Sequence, residues 1–319
     1  MQDNIFYLID KNLIKKNIEE AKVDMPLNLN SIIDGRCEFY GLGNDIVSVI
    51  EKCNIDYVLV NDIKEALNLR KYNDSINIII KYLDKDYVFD AIVNNIILTI
   101  YSYKELDDLI KLDIKDDYNI FLYINDEIEG FNNLYRIESY LKENNHLKIL
   151  GTYTEFNNKK TDNQKYEAFK STVLFLSNDI IKFIISDKQY DLNTNYFSQN
   201  TYIKDINEIV SLQGNLKYVK KFVKNDIVLN KKIKNDKTLG IINMPYEVLV
   251  KKVYIKDRLY RVSDIYNNKL MIECDDNIKV KTQVEILGKK SKNDITPYIN
   301  ITNISKHYLS GSTIEKEKY

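Results

Sequence analysis

Over its first two-thirds the chain alternates short β-branched runs with amphipathic stretches, and this rhythm leaves few folds open. Strands are expected at 56–60 (DYVLV), 76–80 (INIII), 96–100 (IILTI), 119–124 (NIFLYI), 149–154 (ILGTYT) and 182–186 (KFIIS). A run such as INIII, apolar at nearly every position, suits a parallel strand covered on both faces. The stretches between carry helix starts. Asp62 and Ser102 are each followed three residues later by a glutamate, Glu65 and Glu105. That is the capping-box spacing, which satisfies the free amides of a first turn. Repeated strand-helix units over about 200 residues favour a (β/α)8 TIM-type barrel over an open doubly wound sheet.

The texture changes near residue 206. From there short strands follow one another through polar turns: LKYVKKFV, TLGIINM, KKVYIKD, RLYRVSDIY, KLMIECDD and TQVEILG. Asn267-Asn268 and Asp275-Asp276-Asn277 are among the turn signals. The expected organisation is therefore an α/β barrel at 1–206 and a smaller, mostly β C-terminal domain at 207–319. The tail from Lys289 is weakly patterned, and its final IEKEKY is expected to fray.

Composition removes several functions. Lys and Arg number 46 against 47 Asp and Glu, so no global field draws the chain to nucleic acid or to an anionic membrane. The basic patches at Lys220-Lys221 and Lys231-Lys232 read as solvated strand faces balanced by acids elsewhere. Three scattered cysteines (Cys37, Cys53, Cys274) make no disulfide framework, and with two histidines no zinc-ligand spacing can be assembled. No metal site is expected, and the setting reads as reducing and cytoplasmic. His146 lies at a polar helix end and His307 has no evident acid-base partner, so neither takes a catalytic role. No apolar run reaches the roughly 18 residues a membrane helix needs, and the N-terminal run is too short for a signal-peptide core.

The stretch DYVLVNDIKEALNLRKYNDSINIIIKYLDKDYVFDAIVNNIILTIYSYKELDDL, from Asp56 to Leu109, resembles alanine racemases in both wording and order. LKILGTYTEFN is similar to the family's strand ending Thr-His-Phe, and NKLMIECDD to its Leu-Met-Val-Asp strand. The resemblance implies a barrel that binds pyridoxal phosphate through a lysine, a C-terminal β domain, and a dimer whose subunits complete each other's sites. The family's lysine precedes Ala-(Asn/Asp)-Ala-Tyr-Gly-His-Gly; here the matching text is Arg36-Cys37-Glu38-Phe39-Tyr40-Gly41-Leu42-Gly43. The Tyr-Gly-x-Gly register places Arg36 at the lysine position. A guanidinium is not the neutral amine that a Schiff base requires.

Other family positions also change. The resemblance places the second, tyrosine base at Tyr246, which has lost the family's neighbouring Gly-Tyr-Ala-Asp-Gly text. The Thr-His-Phe histidine becomes Glu155, the arginine facing the pyridine nitrogen falls at Gln199, and the Met-Asp pair falls at Asn267 and Asn268. Tyr40, Ser186 and Tyr308 remain as phosphate contacts. Arg36 reads either as an anion anchor at the barrel mouth or as the salt-bridge partner of Glu155 or another nearby acid. Cys37 reads as a small buried residue. The leading expectation is a catalytically degenerate racemase-like protein with no covalent cofactor, though pyridoxal phosphate could bind non-covalently. Its role would be binding, regulation or partner interaction. It would form a homodimer or a paralogue-containing dimer and take a small anionic or amino-acid ligand. The alternative is an active pyridoxal-phosphate racemase using another lysine, such as Lys188 or Lys64.

Overall fold

The β-branched runs pair side by side in parallel, as strands apolar on both faces must. A computed structural model describes residues 5–23, 30–125, 129–156, 162–174, 176–177, 179–185, 194–197, 199–228, 231–299 and 304–316. Two units divide the chain, one of residues 15–204 and one of residues 1–14 with 205–319. Strand β1 (Ile5–Asp10) belongs to the latter.

The first unit is the barrel. Its strands are β2 (Asn30–Asp34), β3 (Tyr57–Val60), β4 (Asn77–Ile80), β5 (Ile96–Ile100), β6 (Tyr118–Tyr123), β7 (Leu147–Glu155), β8 (Ile181–Ile185) and β9 (Thr194–Phe197). They hydrogen-bond in the order β8-β7-β6-β5-β4-β3-β2-β9. Because β9 returns to pair in parallel with β2, the sheet is nearly closed. This is the expected TIM-type architecture.

The interior is solid. Ile32, Leu59, Ile79, Ile97, Phe121, Tyr153 and Phe183 form one buried cluster. Tyr153 stacks on Phe183 with centroids 5.1 Å apart. At Gly151 a Cβ would stand 2.2 Å from Cε1 of Phe121, so only glycine lets β7 pass that ring. With its centre filled, such a barrel offers a site only at its rim, by convention the C-terminal ends of the strands.

Both capping boxes form. The Asp62 carboxylate accepts from the amides of Lys64 and Glu65 at 2.9 and 3.0 Å, and Ser102 Oγ accepts from Glu105 N at 3.2 Å. Each glutamate reaches one residue further back than the simple box, to Asn61 N and Tyr101 N respectively. Both helices, Ile63–Arg70 and Tyr103–Ile110, thus start tied to a strand end.

The second unit carries β1, β10 (Val210–Asn215), β11 (Tyr218–Phe222), β12 (Ile227–Val228), β13 (Lys231–Lys232), β14 (Lys237–Asn243), β15 (Lys252–Ile255), β16 (Arg258–Tyr266), β17 (Lys269–Cys274), β18 (Gln283–Leu287), β19 (Ser305–Ser310) and β20 (Thr313–Lys316). Ten of them form one sheet in the order β11-β14-β17-β16-β15-β18-β10-β1-β19-β20. Two expectations need correction. The first 14 residues, assigned above to a 1–206 barrel, join the β unit, where β1 lies between antiparallel β10 and parallel β19. Phe6, Tyr7 and Ile9 are buried there, but periodicity does not say which sheet a strand enters. The tail is also ordered into the β19–β20 hairpin through Lys316. No helix among the described residues is long and apolar enough to cross a membrane.

Candidate functional site

At the barrel rim β2 ends in Asp34, a carboxylate only 2% exposed. The chain then turns through Gly35, where a Cβ would meet Val58 Cγ1 at 2.4 Å, and delivers Arg36 back onto that carboxylate. Arg36 Nε donates to Asp34 Oδ1 at 2.8 Å and a terminal guanidinium nitrogen to Oδ2 at 2.6 Å, the parallel fork that makes such pairs strong. Tyr40 OH donates to the same Oδ2 at 2.5 Å, and Tyr202 OH donates to the Asp34 carbonyl at 2.6 Å. Burial, then the Asp34 charge, pushes the Tyr40 hydroxyl pKa well up, and burial does the same for Tyr202. Both stay protonated at neutral pH.

The segment joining Arg36 to Tyr40 is strained. Cys37, Glu38, Phe39 and Tyr40 all have φ between 52 and 56°, a complete left-handed turn without a glycine. At about 1–2 kcal/mol per residue, the penalty is roughly 4–8 kcal/mol. It is offset by the buried Phe39 ring, by the Asp34 contacts, and by bonds donated from the Cys37 amide to Glu65 Oε1 and from Asn68 Nδ2 to Glu38 Oε1. Cys37 itself is exposed, not buried as expected, because the left-handed turn directs Phe39 inward and leaves position 37 outside.

A second charged pair lies on the same rim. Lys81 follows the last residue of β4, and its Nζ is 2.5 Å from Oε1 of Glu155 at the end of β7. Their side chains are 13% and 18% exposed. Arg36 therefore does not bond Glu155; each cation has its own acid. Around the Lys81 pair stand tyrosines. Tyr101 OH donates to the Lys81 carbonyl at 2.8 Å and lies 3.4 Å from Tyr153 OH. Burial and the nearby Glu155 charge push Tyr123 up to about 12, and burial also raises Tyr101 and Tyr153.

The other expected site residues scatter. Tyr246 is in the β unit, where its hydroxyl lies 3.4 Å from that of Tyr7 and its ring stacks on Tyr298. Tyr7 donates its proton to the Tyr298 carbonyl, so Tyr246 is the donor to Tyr7, and burial with this bond pushes its pKa far up. Tyr308, on β19, is fully buried with Lys11 Nζ 4.6 Å over its ring. Asn267 and Asn268 form the two-residue turn between β16 and β17, with φ of 46 and 56°. That geometry explains asparagine there without any ligand. Ser186 and the side chain of Gln199 lie outside the described residues. Sequence reasoning missed Asp34 and Lys81. The signal was available: each is a charged residue closing an apolar strand at the end where a barrel places its site.

Comparison with known proteins adds the following. No family model matches the chain. Among curated proteins it is 28% identical over 251 residues to the beta subunit of DNA-directed RNA polymerase from Theileria parva, a match over 74% of this chain and 24% of that one. The chain thus spans about a quarter of that curated relative. Among solved structures it is similar to an alanine racemase of Clostridium difficile 630, with a TM-score of 0.78 and 16% identity over 100% of this chain and 99% of that one. It is also similar to the alanine racemase of Bacillus anthracis with bound L-Ala-P, at TM-score 0.75 and 15% identity over 100% and 98% of the two chains. The alanine racemase of Oenococcus oeni aligns at TM-score 0.73 and 15% identity over 93% and 92%. The chain has an alanine racemase-like fold.

Proposed function

We propose that this racemase-like frame is a binding protein whose lysine-linked cofactor chemistry has been lost. The observation that carries the reading is the Arg36–Asp34 fork at the register where the resemblance requires a lysine. The residues present do not fit a lysine-linked pyridoxal phosphate. A guanidinium held on both nitrogens by a buried carboxylate stays charged and cannot condense with an aldehyde. Tyr246, the retained second base, has its proton directed to Tyr7 and a pKa pushed away from any role as a base at neutral pH. The polymerase match contributes nothing to this reading, since it covers 24% of that subunit while the racemase likeness runs the length of both chains.

The reading includes a homodimer or a paralogue-containing dimer and a cytoplasmic setting. Gel filtration giving a monomer would detach Tyr246 from any shared site. The decisive experiment is borohydride reduction of the purified protein after incubation with pyridoxal phosphate, followed by peptide mapping. No lysine should be trapped, and Arg36→Lys should regain trapping if the old pocket persists.

A second reading is favoured by one observation: Lys81 lies on the barrel rim, largely buried. An active enzyme would use this amine and not Lys64, which sits in the first turn of the Ile63–Arg70 helix, while Lys188 falls outside the described residues. Against it stands Glu155, whose carboxylate oxygen lies 2.5 Å from Nζ and occupies the amine. Reductive trapping of pyridoxal phosphate on Lys81 in the unaltered protein would establish this reading and overturn the first.

A further inference from the structure

Beside the Lys81 pair the rim opens into a cavity of about 370 Å³. Its walls come from three consecutive strand ends: Tyr82 after β4, Tyr101 after β5, and Glu129 with Gly130 after β6, closed below by Glu105 from the Tyr103–Ile110 helix. This is the size range of small-molecule sites, and it lies at the end of the barrel where ligands bind.

Hydrogen bonds and ring packing position part of the wall. Tyr82 and Tyr101 have nearly parallel rings, 8° apart, with centroids separated by 6.3 Å. Glu105 is fixed by accepting from Tyr101 N at 2.8 Å. Two residues on from Glu129, Phe131 N donates to the Tyr123 carbonyl at 2.8 Å and Asn125 N to the Phe131 carbonyl at 3.1 Å. Gly130, at φ 109°, permits this approach, since a Cβ there would stand 2.8 Å from Asn125 N.

The chemistry of the walls has one sign. The described residues that line the cavity include two glutamates and two tyrosines, and none of them is basic. Lys81, the nearby cation, is neutralised by Glu155 at 2.5 Å. Its ammonium lies 5.4 Å over the Tyr82 ring, which places that ring within reach of a positive charge. We infer that this cavity binds a small organic ammonium compound, its charge held by Glu129 and Glu105 and its carbon skeleton against Tyr82 and Tyr101. The inference rests on reading the barrel mouth as a binding site, and it names the ligand class.

The test uses the full chain, free of pyridoxal phosphate, and a matched set of probes: 2-phenylethylamine, protonated at neutral pH, the neutral 2-phenylethanol and the anionic 3-phenylpropanoate. Titration calorimetry should show saturable binding of the amine, at least about tenfold tighter than the alcohol, and no binding of the acid. Glu129→Gln, at an exposed position, should weaken the amine about fivefold or more and leave the alcohol unchanged, while Tyr82→Leu should weaken both. Should either variant misfold, raising the salt about tenfold with the unaltered protein must selectively weaken the amine. Equal binding of amine and alcohol, or an amine affinity indifferent to Glu129 and to salt, overturns the inference. A cofactor trapped on lysine would overturn the degenerate reading and leave the amine result standing. Absent amine binding with no trapped cofactor overturns the inference alone.

Discussion

Replacing Asp34 by asparagine keeps the shape of the rim and removes its buried charge. Among the described residues, four donors converge on this carboxylate: the Arg36 amide at 3.2 Å, Arg36 Nε, a terminal Arg36 nitrogen and Tyr40 OH. Breaking a buried ion pair by deleting one partner costs about 3–5 kcal/mol. Here the guanidinium is 22% exposed, and an asparagine oxygen still accepts one donor, so the expected loss is nearer ~2–3 kcal/mol. The left-handed turn magnifies the local effect, because Arg36 and Tyr40 are its two ends and both lose their anchor. Urea unfolding followed by circular dichroism measures the loss, and amide exchange at 37–41 reports the loosened turn. A cycle with Arg36→Met isolates the pair: the double variant should recover much of the stability, with a coupling of about 2 kcal/mol. A coupling below about 0.5 kcal/mol, with exchange at 37–41 unchanged, would refute the tether.

Glu155→Gln should destabilise the barrel by about 2 kcal/mol by stranding Lys81, whereas Lys81→Met with Glu155→Leu should come close to the unaltered protein in thermal unfolding; equal losses in both would mean the pair is not the cause. At the β16–β17 turn, Asn268→Gly should be neutral and Asn268→Val should cost about 1–2 kcal/mol, read by chemical denaturation, because only the branched residue resists φ of 56°. Tyr40, Tyr101, Tyr123, Tyr153 and Tyr246 all have raised values when folded, Tyr123 at about 12. The unfolded chain ionises first, so stability is complete below about pH 10 and falls as pH rises toward the folded values. Tyrosinate absorbance should therefore lag until unfolding and then jump; a stability that stays flat from about pH 9 to about pH 12 would contradict the assignment.

The barrel was legible where its strands are apolar on both faces. INIII and IILTI became β4 and β5 with boundaries shifted by at most one residue. β2 and β9 escaped notice because NSIID and TNYF begin with polar residues, and the parallel-strand signal needs an unbroken run. At the end of β2, the Tyr-Gly-x-Gly spacing singled out Arg36 and Tyr40, and both contact Asp34, since a local turn is a local pattern. The pairing of Lys81 with Glu155 was invisible, because it depends on β4 and β7 curving toward one another across a nearly closed sheet, and no sequence window spans that. The Asn267-Asn268 pair shows the opposite failure. Its turn chemistry was read correctly, but the resemblance assigned the same residues to a pocket.

The two ion pairs decide what kind of ligand the rim can attract. A free Arg36 and a free Lys81 would make the mouth an anion site, the first of the two roles the sequence left open for Arg36. Each cation instead has a carboxylate within 2.6 Å, so neither pair carries net charge to a distance. Recruiting an anion would require breaking a pair and exposing the acid it leaves behind, at a cost of several kcal/mol. Glu105 and Glu129 form no ion pair among the described residues: the Tyr101 amide positions Glu105 without cancelling its charge, and Glu129 is exposed and lines the cavity with Tyr82 and Tyr101. Among the described residues lining the cavity, the uncompensated charge is negative. An arginine at the position where the resemblance expects a lysine therefore does more than withhold a nucleophile. By locking its charge to Asp34, it leaves the acidic side of the rim to set the selectivity, and the mouth that the resemblance assigned to a phosphate cofactor becomes one that favours a cation.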